Sequence, residues 1–367
     1  MVQMSAIGQP REALDTPALL VDLDLLEGNI SRMARTIIRE AGVGWRPHVK
    51  GIKTPAIAHL LLEAGALGLT CAKLGEAEVM AQAGIRDLLI ANQIVGDQKI
   101  ARLVNLCRHA DVAVAVDSLE NAQVLGRAAV AKGVELRVVI EVDTGMQRAG
   151  VEPGAATLSL ARRLATLEGL RFCGLMTWES PALRVRDHGE RGQLIATLLG
   201  QLADTAQACR EAGLRVEIVS CGGTGTYWLS AFQPGITEIQ AGGGIFNDVV
   251  YCRHLGLDHP FALTVLSTVT SRPTPTRIVC DAGKKTMSGD SALPEPLGLP
   301  PVQSLTLSAE HGKLELAAPS PAPRLGDKIE FIPGCVDTTV VLHDELCGIR
   351  NGVVETIWPL LARGRLQ

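Results

Sequence analysis

Aromatic residues make up only 3% of the 367. That is too few for the stacking faces that hold single-stranded nucleic acid, and it leaves a core to be built from Leu, Val, Ile and Ala. No run of Lys or Arg stands out, and the formal net charge is −4, so neither nucleic acid nor a membrane surface is an expected partner. Residues 1–14 are polar, broken by Gly8 and Pro10, and lack the apolar segment of a secretory signal; no later stretch reads as a bilayer span. The nine cysteines contain no CxxC pair and no regular spacing. They fit reduced thiols of a cytoplasmic protein, most of them small core filler, rather than a disulfide framework.

What is present is ordinary for a large globular enzyme: 47% hydrophobic and 20% charged residues, enough for one large or two ordinary domains. Short apolar runs at 45–49, 68–72, 88–91, 112–116, 136–142, 172–177, 216–220 and 236–240 alternate with helix-length segments such as 74–83, 119–131, 155–165 and 191–212. Continuous apolar runs joined by helical crossovers predict a parallel sheet covered by helices. Eight repeats suit a closed (β/α)8 barrel, and no phosphate fingerprint follows the first run, as an open doubly wound sheet would require. A ninth run, 18–21, precedes the series. After residue 251 proline becomes frequent and short β-rich runs appear at 262–269, 277–280, 305–307, 314–316, 328–331 and 338–342. The expected architecture is α/β: a TIM-type barrel over 24–250, and a second, mainly β domain formed by 1–23 plus 251–367.

Barrel chemistry gathers where strands end. Arg46-Pro47-His48-Val49-Lys50 closes the first barrel run, so Lys50 could form a Schiff base if burial and the cations Arg46 and His48 lower its pKa; a lysine snorkelling to solvent is the alternative. Gly222-Gly223-Thr224-Gly225-Thr226 and Ala241-Gly242-Gly243-Gly244 leave adjacent late strands, where Gly-rich turns can offer backbone N–H groups to a phosphate. Arg148, in Thr144-Gly145-Met146-Gln147-Arg148, could contact a cofactor oxygen or make a surface ion pair. Asp281-Ala282-Gly283-Lys284-Lys285 and Ser288-Gly289-Asp290 read as loop. Cys335-Val336-Asp337 puts two donors on one face if the segment is extended; a buried thiol beside a turn-capping aspartate is the bland alternative. His343 follows at eight residues.

Taken in order, these motifs resemble the fold-type III, alanine racemase-like pyridoxal-phosphate enzymes, in the branch of D-threonine aldolases, D-serine dehydratases and 3-hydroxy-D-aspartate aldolases and dehydratases. Asp15-Thr16-Pro17-Ala18-Leu19-Leu20-Val21-Asp22 resembles the family's opening strand, and the resemblance covers nearly the whole chain. It implies that Lys50 carries the cofactor, with His48 beside it in the catalytic set. It implies also that Arg148 approaches the phenolic oxygen and that Gly223, Thr224, Gly225, Gly242 and Gly243 surround the phosphate. It further implies a strand from the first twenty residues in the β domain, and a head-to-tail homodimer. Metal-dependent members carry His-x-Asp or His-x-Cys where this chain has Cys335-Val336-Asp337, so a divalent ion (Mn, Mg or Zn) at Cys335 and Asp337 would meet a softer donor set. The implied activity is cleavage of a D-3-hydroxy amino acid to glycine and an aldehyde. Dehydration, racemisation and non-catalytic cofactor carriage are the rival readings.

Overall fold

The computed structural model describes residues 4–367; the first three positions of the polar opening stretch, which belong to the 1–23 piece of the expected β domain, lie outside the described residues. The chain divides into two compact units. One comprises Arg32–Lys50, Pro55–Gly242 and Gly364–Gln367; the other comprises residues 4–31, Gly51–Thr54 and Gly243–Arg363.

Strand β1 (Ala18–Asp22) runs directly into helix α1 (Leu23–Ala34). There follow β2 (Gly44–Trp45), α2 (Pro55–Glu63), β3 (Leu69–Cys71), α3 (Leu74–Gln82), β4 (Asp87–Gln93), α4 (Asp97–Leu106), β5 (Asp111–Val116) and α5 (Leu119–Lys132). Then come β6 (Leu136–Glu141), α6 (Ala155–Leu164), β7 (Leu170–Met176), α7 (His188–Glu211), β8 (Ile218–Cys221), α8 (Tyr227–Ser230) and β9 (Glu238–Ile239). Local signals place the ends of these helices. The Ser118 hydroxyl caps α5 by accepting from Asn121 N at 3.3 Å, and Gly133 ends it in the left-handed region at φ 63°.

In the first unit, strands β2 to β9 form one eight-stranded parallel sheet in the order β2-β9-β8-β7-β6-β5-β4-β3. A parallel bridge between His48 and Thr70 joins its two ends. Leu67 N donates to Trp45 O at 2.8 Å and Thr70 N to Pro47 O at 3.0 Å, so the sheet closes as a barrel. The apolar runs are continuous because both faces are covered. Leu89, Ala113, Ala115, Val139, Cys173, Met176 and Ile218 form one buried cluster across successive strands. The alternate set Leu88, Ile90, Val112, Val114, Val138 and Ile140 is buried as well. The first expected strand, 45–49, is shorter than its apolar character suggests: Pro47 has no N–H for the ladder, and the chain turns through a 3-10 segment at Val49–Gly51.

Charge collects at the strand starts. Arg46, 3% exposed, donates from Nε to both Glu238 oxygens at 3.0 and 3.1 Å and pairs through Nη1 with Asp87 at 2.9 Å. Arg137 bridges Asp87 at 2.6 Å and Asp111 at 2.7 Å, and Arg171 bridges Glu135 at 3.1 Å and Glu217 at 3.3 Å. Arg46 therefore does not serve as a free cation beside Lys50. Its charge is spent at the face where barrels keep stability rather than chemistry.

The second unit contains β1 together with β10 (Leu263–Ser271), β11 (Arg277–Cys280), β12 (Glu295–Leu297), β13 (Val302–Leu307), β14 (Gly312–Leu316), β15 (Lys328–Ile332), α9 (Val336–Val340), β16 (Glu345–Arg350) and β17 (Val353–Pro359). Its nine-stranded sheet runs β13-β14-β11-β10-β1-β16-β17, with β15 pairing β10 and β12. The ninth run of the sequence thus pairs antiparallel with β10 and parallel with β16. Leu14, Ala18, Leu20, Leu266, Cys347, Ile349, Val354 and Ile357 form its core. The run at 338–342 is not a strand. Val336, Thr339 and Val340 are buried at helical spacing, so the β-branched residues there fill one turn of helix. No helix among the described residues is long and apolar enough to cross a membrane.

Candidate active site

In the barrel unit the residues singled out from sequence, Arg46 apart, lie at or just beyond the C-terminal ends of strands, the catalytic face of such folds. Lys50 is exposed just past the His48–Thr70 bridge. Its backbone N–H donates to His48 Nδ1 at 3.3 Å, while His48 N donates to Gln240 O at 2.9 Å. The β2 exit is thereby locked to the β9 exit. A Cβ on Gly242 would lie 2.2 Å from His48 O and 2.8 Å from His48 N, so no larger residue fits where the two exits meet.

The β8 exit is organised by a carboxylate the sequence reading passed over. Glu179, 0% exposed at the end of β7, accepts from Gly222 N at 3.1 Å, Thr226 Oγ1 at 2.7 Å and Ser230 Oγ at 2.5 Å. Three donors satisfy the buried charge and fix the turn. Trp178 lies against the same turn: a Cβ on Gly223 would come within 2.2 Å of its Cη2. Among the described residues, the backbone N–H groups of Thr224, Gly225 and Gly242 make no backbone hydrogen bond. Buried donors without carbonyl partners on a glycine cradle match the needs of a phosphate. Cys221 beside them is no nucleophile, since burial, aided by the charges of Glu179 and Glu238, pushes its thiol well up.

Arg148 leaves a tight loop. Asp143 Oδ1 accepts from Gly145 N at 2.9 Å and Gln147 N at 3.0 Å, and Asp117 Oδ2 accepts from Gly150 N at 3.2 Å. Gln147 sits in the left-handed region at φ 57°. The guanidinium, 56% exposed, donates to Glu141 Oε1 at 3.2 Å, and Gln93 Nε2 donates to the other Glu141 oxygen at 2.6 Å. Arg148 is thus an oriented fork with donors to spare. Glu141 and Glu179 share one sequence signal: each is an acid at or just past the end of an apolar run.

Gly243, Cys335 and Asp337 belong to the second unit. Gly243 opens a 3-10 turn to Ile245. Cys335 is extended, at φ −145° and ψ 125°, and Asp337 lies in the first turn of α9, so the pair does not share one face of an extended strand. Both are half-buried. The Asp337 carboxylate covers Gly51, where a Cβ would lie 2.5 Å from Oδ1. Burial pushes the Cys335 thiol up, Asp337 and Asp248 adding to it against the Thr338 donors. Asp248, buried, is pushed up to about 7 by burial and the Asp337 charge, against hydrogen bonds from Tyr251 and Val336. No group of three or more His, Cys, Asp or Glu side chains is gathered for an ion among the described residues. A closed structural zinc site is therefore not formed. One thiol and one carboxylate suit a divalent ion that keeps positions for water or substrate. His343 is apart from these donors, its Nε2 donating to Thr286 O at 2.9 Å. The Asp281 motif is structural: Asp281 accepts from Ser267 Oγ at 2.7 Å and Thr268 N at 2.8 Å.

Residues 21–248 match the family described as alanine racemase, N-terminal domain, and residues 262–349 match a serine dehydratase domain. The chain is 37% identical to a D-threonine aldolase of Arthrobacter sp. over 97% of this chain and 95% of that one. The crystal structure of D-threonine aldolase from Filomicrobium marinum superposes with a TM-score of 0.95 at 38% identity, covering 98% and 99% of the two chains. A D-threo-3-hydroxyaspartate dehydratase, solved as a cysteine-to-alanine mutant in the metal-free form, superposes at 0.87 with 28% identity over 96% and 99%. The chain belongs to the alanine racemase-like, fold-type III family, in the branch that carries a D-threonine aldolase and serine dehydratase-like second domain.

Proposed function

We propose that this chain is a pyridoxal-phosphate-dependent lyase that cleaves D-3-hydroxy amino acids between Cα and Cβ, giving glycine and an aldehyde. The observation that carries the reading is the kinship with a D-threonine aldolase along 97% of the chain, through both units. Lys50 would hold the cofactor at the β2 exit. Thr224, Gly225, Gly242 and Gly243 would hold its phosphate through backbone N–H groups and the threonine hydroxyl, while Gly223, whose N–H donates to Thr226 Oγ1 at 3.1 Å, would line the same turn. Arg148, aimed by Glu141, would donate to its phenolic oxygen. When bound, pyridoxal phosphate supplies an electron sink for the pair left behind by the broken bond.

The protein's own groups set which bond breaks. Glu179 holds the Gly222–Thr226 turn rigid, and the His48–Gln240 bond fixes the backbone that carries Lys50. With Nδ1 accepting from the Lys50 N–H, a neutral His48 ring keeps its proton on Nε2. His48 then acts as a donor that orients its neighbours rather than as a base. A divalent ion (Mn, Mg or Zn) held by Cys335 and Asp337 would supply positive charge that lowers the pKa of the substrate 3-hydroxyl. In this reading the enzyme works in the cytoplasm as a homodimer on a small amino-acid substrate, without nucleic-acid or membrane partners.

A second reading has specific support. Residues 262–349 match a serine dehydratase domain, and Lys50 is a suitable base for a Cα proton. Incubation with D-threonine, L-threonine and D-serine, with and without chelator, separates the two. Glycine and acetaldehyde from D-threonine alone are expected. Keto acid and ammonia as the main products would replace the aldolase reading with the dehydratase.

A further inference from the structure

Asp248, 0% exposed, lies 88 residues from the segment it holds. Its Oδ2 accepts from Val336 N at 2.8 Å and its Oδ1 from Tyr251 N at 2.7 Å. Val336 is the first residue of α9 and the peptide link between Cys335 and Asp337. Cys335 stands at the N-cap of that helix, where its thiol, a weak acceptor, meets the Thr338 donors without making a regular side-chain cap. Asp248 supplies the acceptor for the first helical N–H, at Val336, which a cap side chain, reaching the second or third N–H, leaves open.

The hold is reinforced on both sides. Val249 N donates to Pro333 O at 3.1 Å and Val250 N to Gly334 O at 3.2 Å, so the two segments run against each other through Asp248. Asp248 is itself fixed. Its N–H donates to Asn247 Oδ1 at 2.9 Å, and Asn247, left-handed at φ 58°, donates from Nδ2 to His259 O at 2.6 Å. His259 Nδ1 lies 2.8 Å from Gly244 O. A buried polar chain thus runs from the Gly243–Ile245 turn to the first peptide of α9.

We infer that Asp248 is a positioning residue for the divalent ion: by capping α9 from outside, it sets the turn that carries Cys335 and Asp337 and leaves the thiol for ligation. The inference rests on the ion site proposed above. Asp248 does not itself touch the ion. Its effect is on how well two donors are held, and removing such orienting partners typically weakens metal affinity by about 10- to 100-fold.

The test is Mn2+ binding by titration calorimetry, on the full chain saturated with pyridoxal phosphate and matched for folded fraction by near-ultraviolet circular dichroism. Asp337→Ala should abolish saturable binding. Asp248→Ala should raise the Kd at least about tenfold, and Asp248→Asn, which keeps one acceptor, should raise it less, with cofactor content unchanged in both. Loss of binding in Asp337→Ala alongside a wild-type Kd in Asp248→Ala would overturn the positioning role while sparing the site. Wild-type binding by Asp337→Ala would overturn the site and the inference together. Should Asp248→Ala fail to fold, Asp248→Asn decides alone, an unchanged Kd being the contrary result.

Discussion

The Asp337 carboxylate lies over Gly51, the residue that follows Lys50 in the chain: a Cβ at 51 would sit 2.5 Å from Asp337 Oδ1 and 3.3 Å from Val336 Cγ1. Glycine at 51 leaves that carboxylate in place. Gly51→Ala should therefore push Asp337 aside. The expected result is aldehyde release lowered on the order of tenfold at limiting Mn2+, partly restored by excess ion, with cofactor content unchanged. Equal activity at every Mn2+ concentration would separate Asp337 from the chemistry.

A side chain at 242 has a different effect, because it meets backbone. The Cβ of Gly242→Ala would stand 2.2 Å from His48 O, and no rotamer relieves that contact. The β2 exit has to move, at a cost of about 1–3 kcal/mol, and Lys50 moves with it. Cofactor occupancy measured by absorbance should fall along with the Tm. A variant that loads fully would show that the locked exits do not position Lys50.

Arg46 sits in the motif that ends at Lys50 but serves the opposite face of the barrel. Arg46→Ala leaves Glu238, 3% exposed, without its partner, which should cost about 3–5 kcal/mol. Folded protein at low temperature should keep its KM. A raised KM with little change in Tm would return Arg46 to the active site.

Much of the barrel could be read from sequence because its strands are buried on both faces, which writes them as unbroken apolar runs. The β unit was less legible. Val336, Thr339 and Val340 are β-branched yet lie on one helical turn; β17 carries a mixed pattern that one-sided burial leaves weak, and β16, buried from Leu346 to Ile349, has its apolar run broken by Gly348. In the site, Lys50, Arg148 and the glycine turns declare themselves by residue type and place at strand ends. Glu179 and Asp248 do not, because their partners Thr226 and Val336 lie 47 and 88 residues away and no local spacing records such a pairing.

His343 gives a pH dependence outside the site. Burial holds its pKa below the ordinary 6.5, so the folded protein keeps the ring neutral while the unfolded chain takes up a proton. Stability is complete above 6.5 and falls as pH drops below it, by up to about 1.4 kcal/mol per pH unit, until the folded protein is protonated too. Asp248, pushed up to about 7, contributes the opposite slope below pH 7, so the His343 contribution is read as the difference between wild type and His343→Gln in thermal melts between pH 7.5 and 5. The variant should lose less stability than the wild type as pH falls. An identical slope in the variant would place the titrating group elsewhere.

The central claim is that the amine of Lys50 holds pyridoxal phosphate at the β2 exit. Borohydride reduction of the cofactor-loaded protein, followed by proteolysis and mass mapping, fixes the cofactor to whichever amine carries it. The account predicts loss of the yellow colour and one pyridoxyl group on the peptide containing Lys50. A label on Lys53 or Lys73, or none on any lysine, would contradict it.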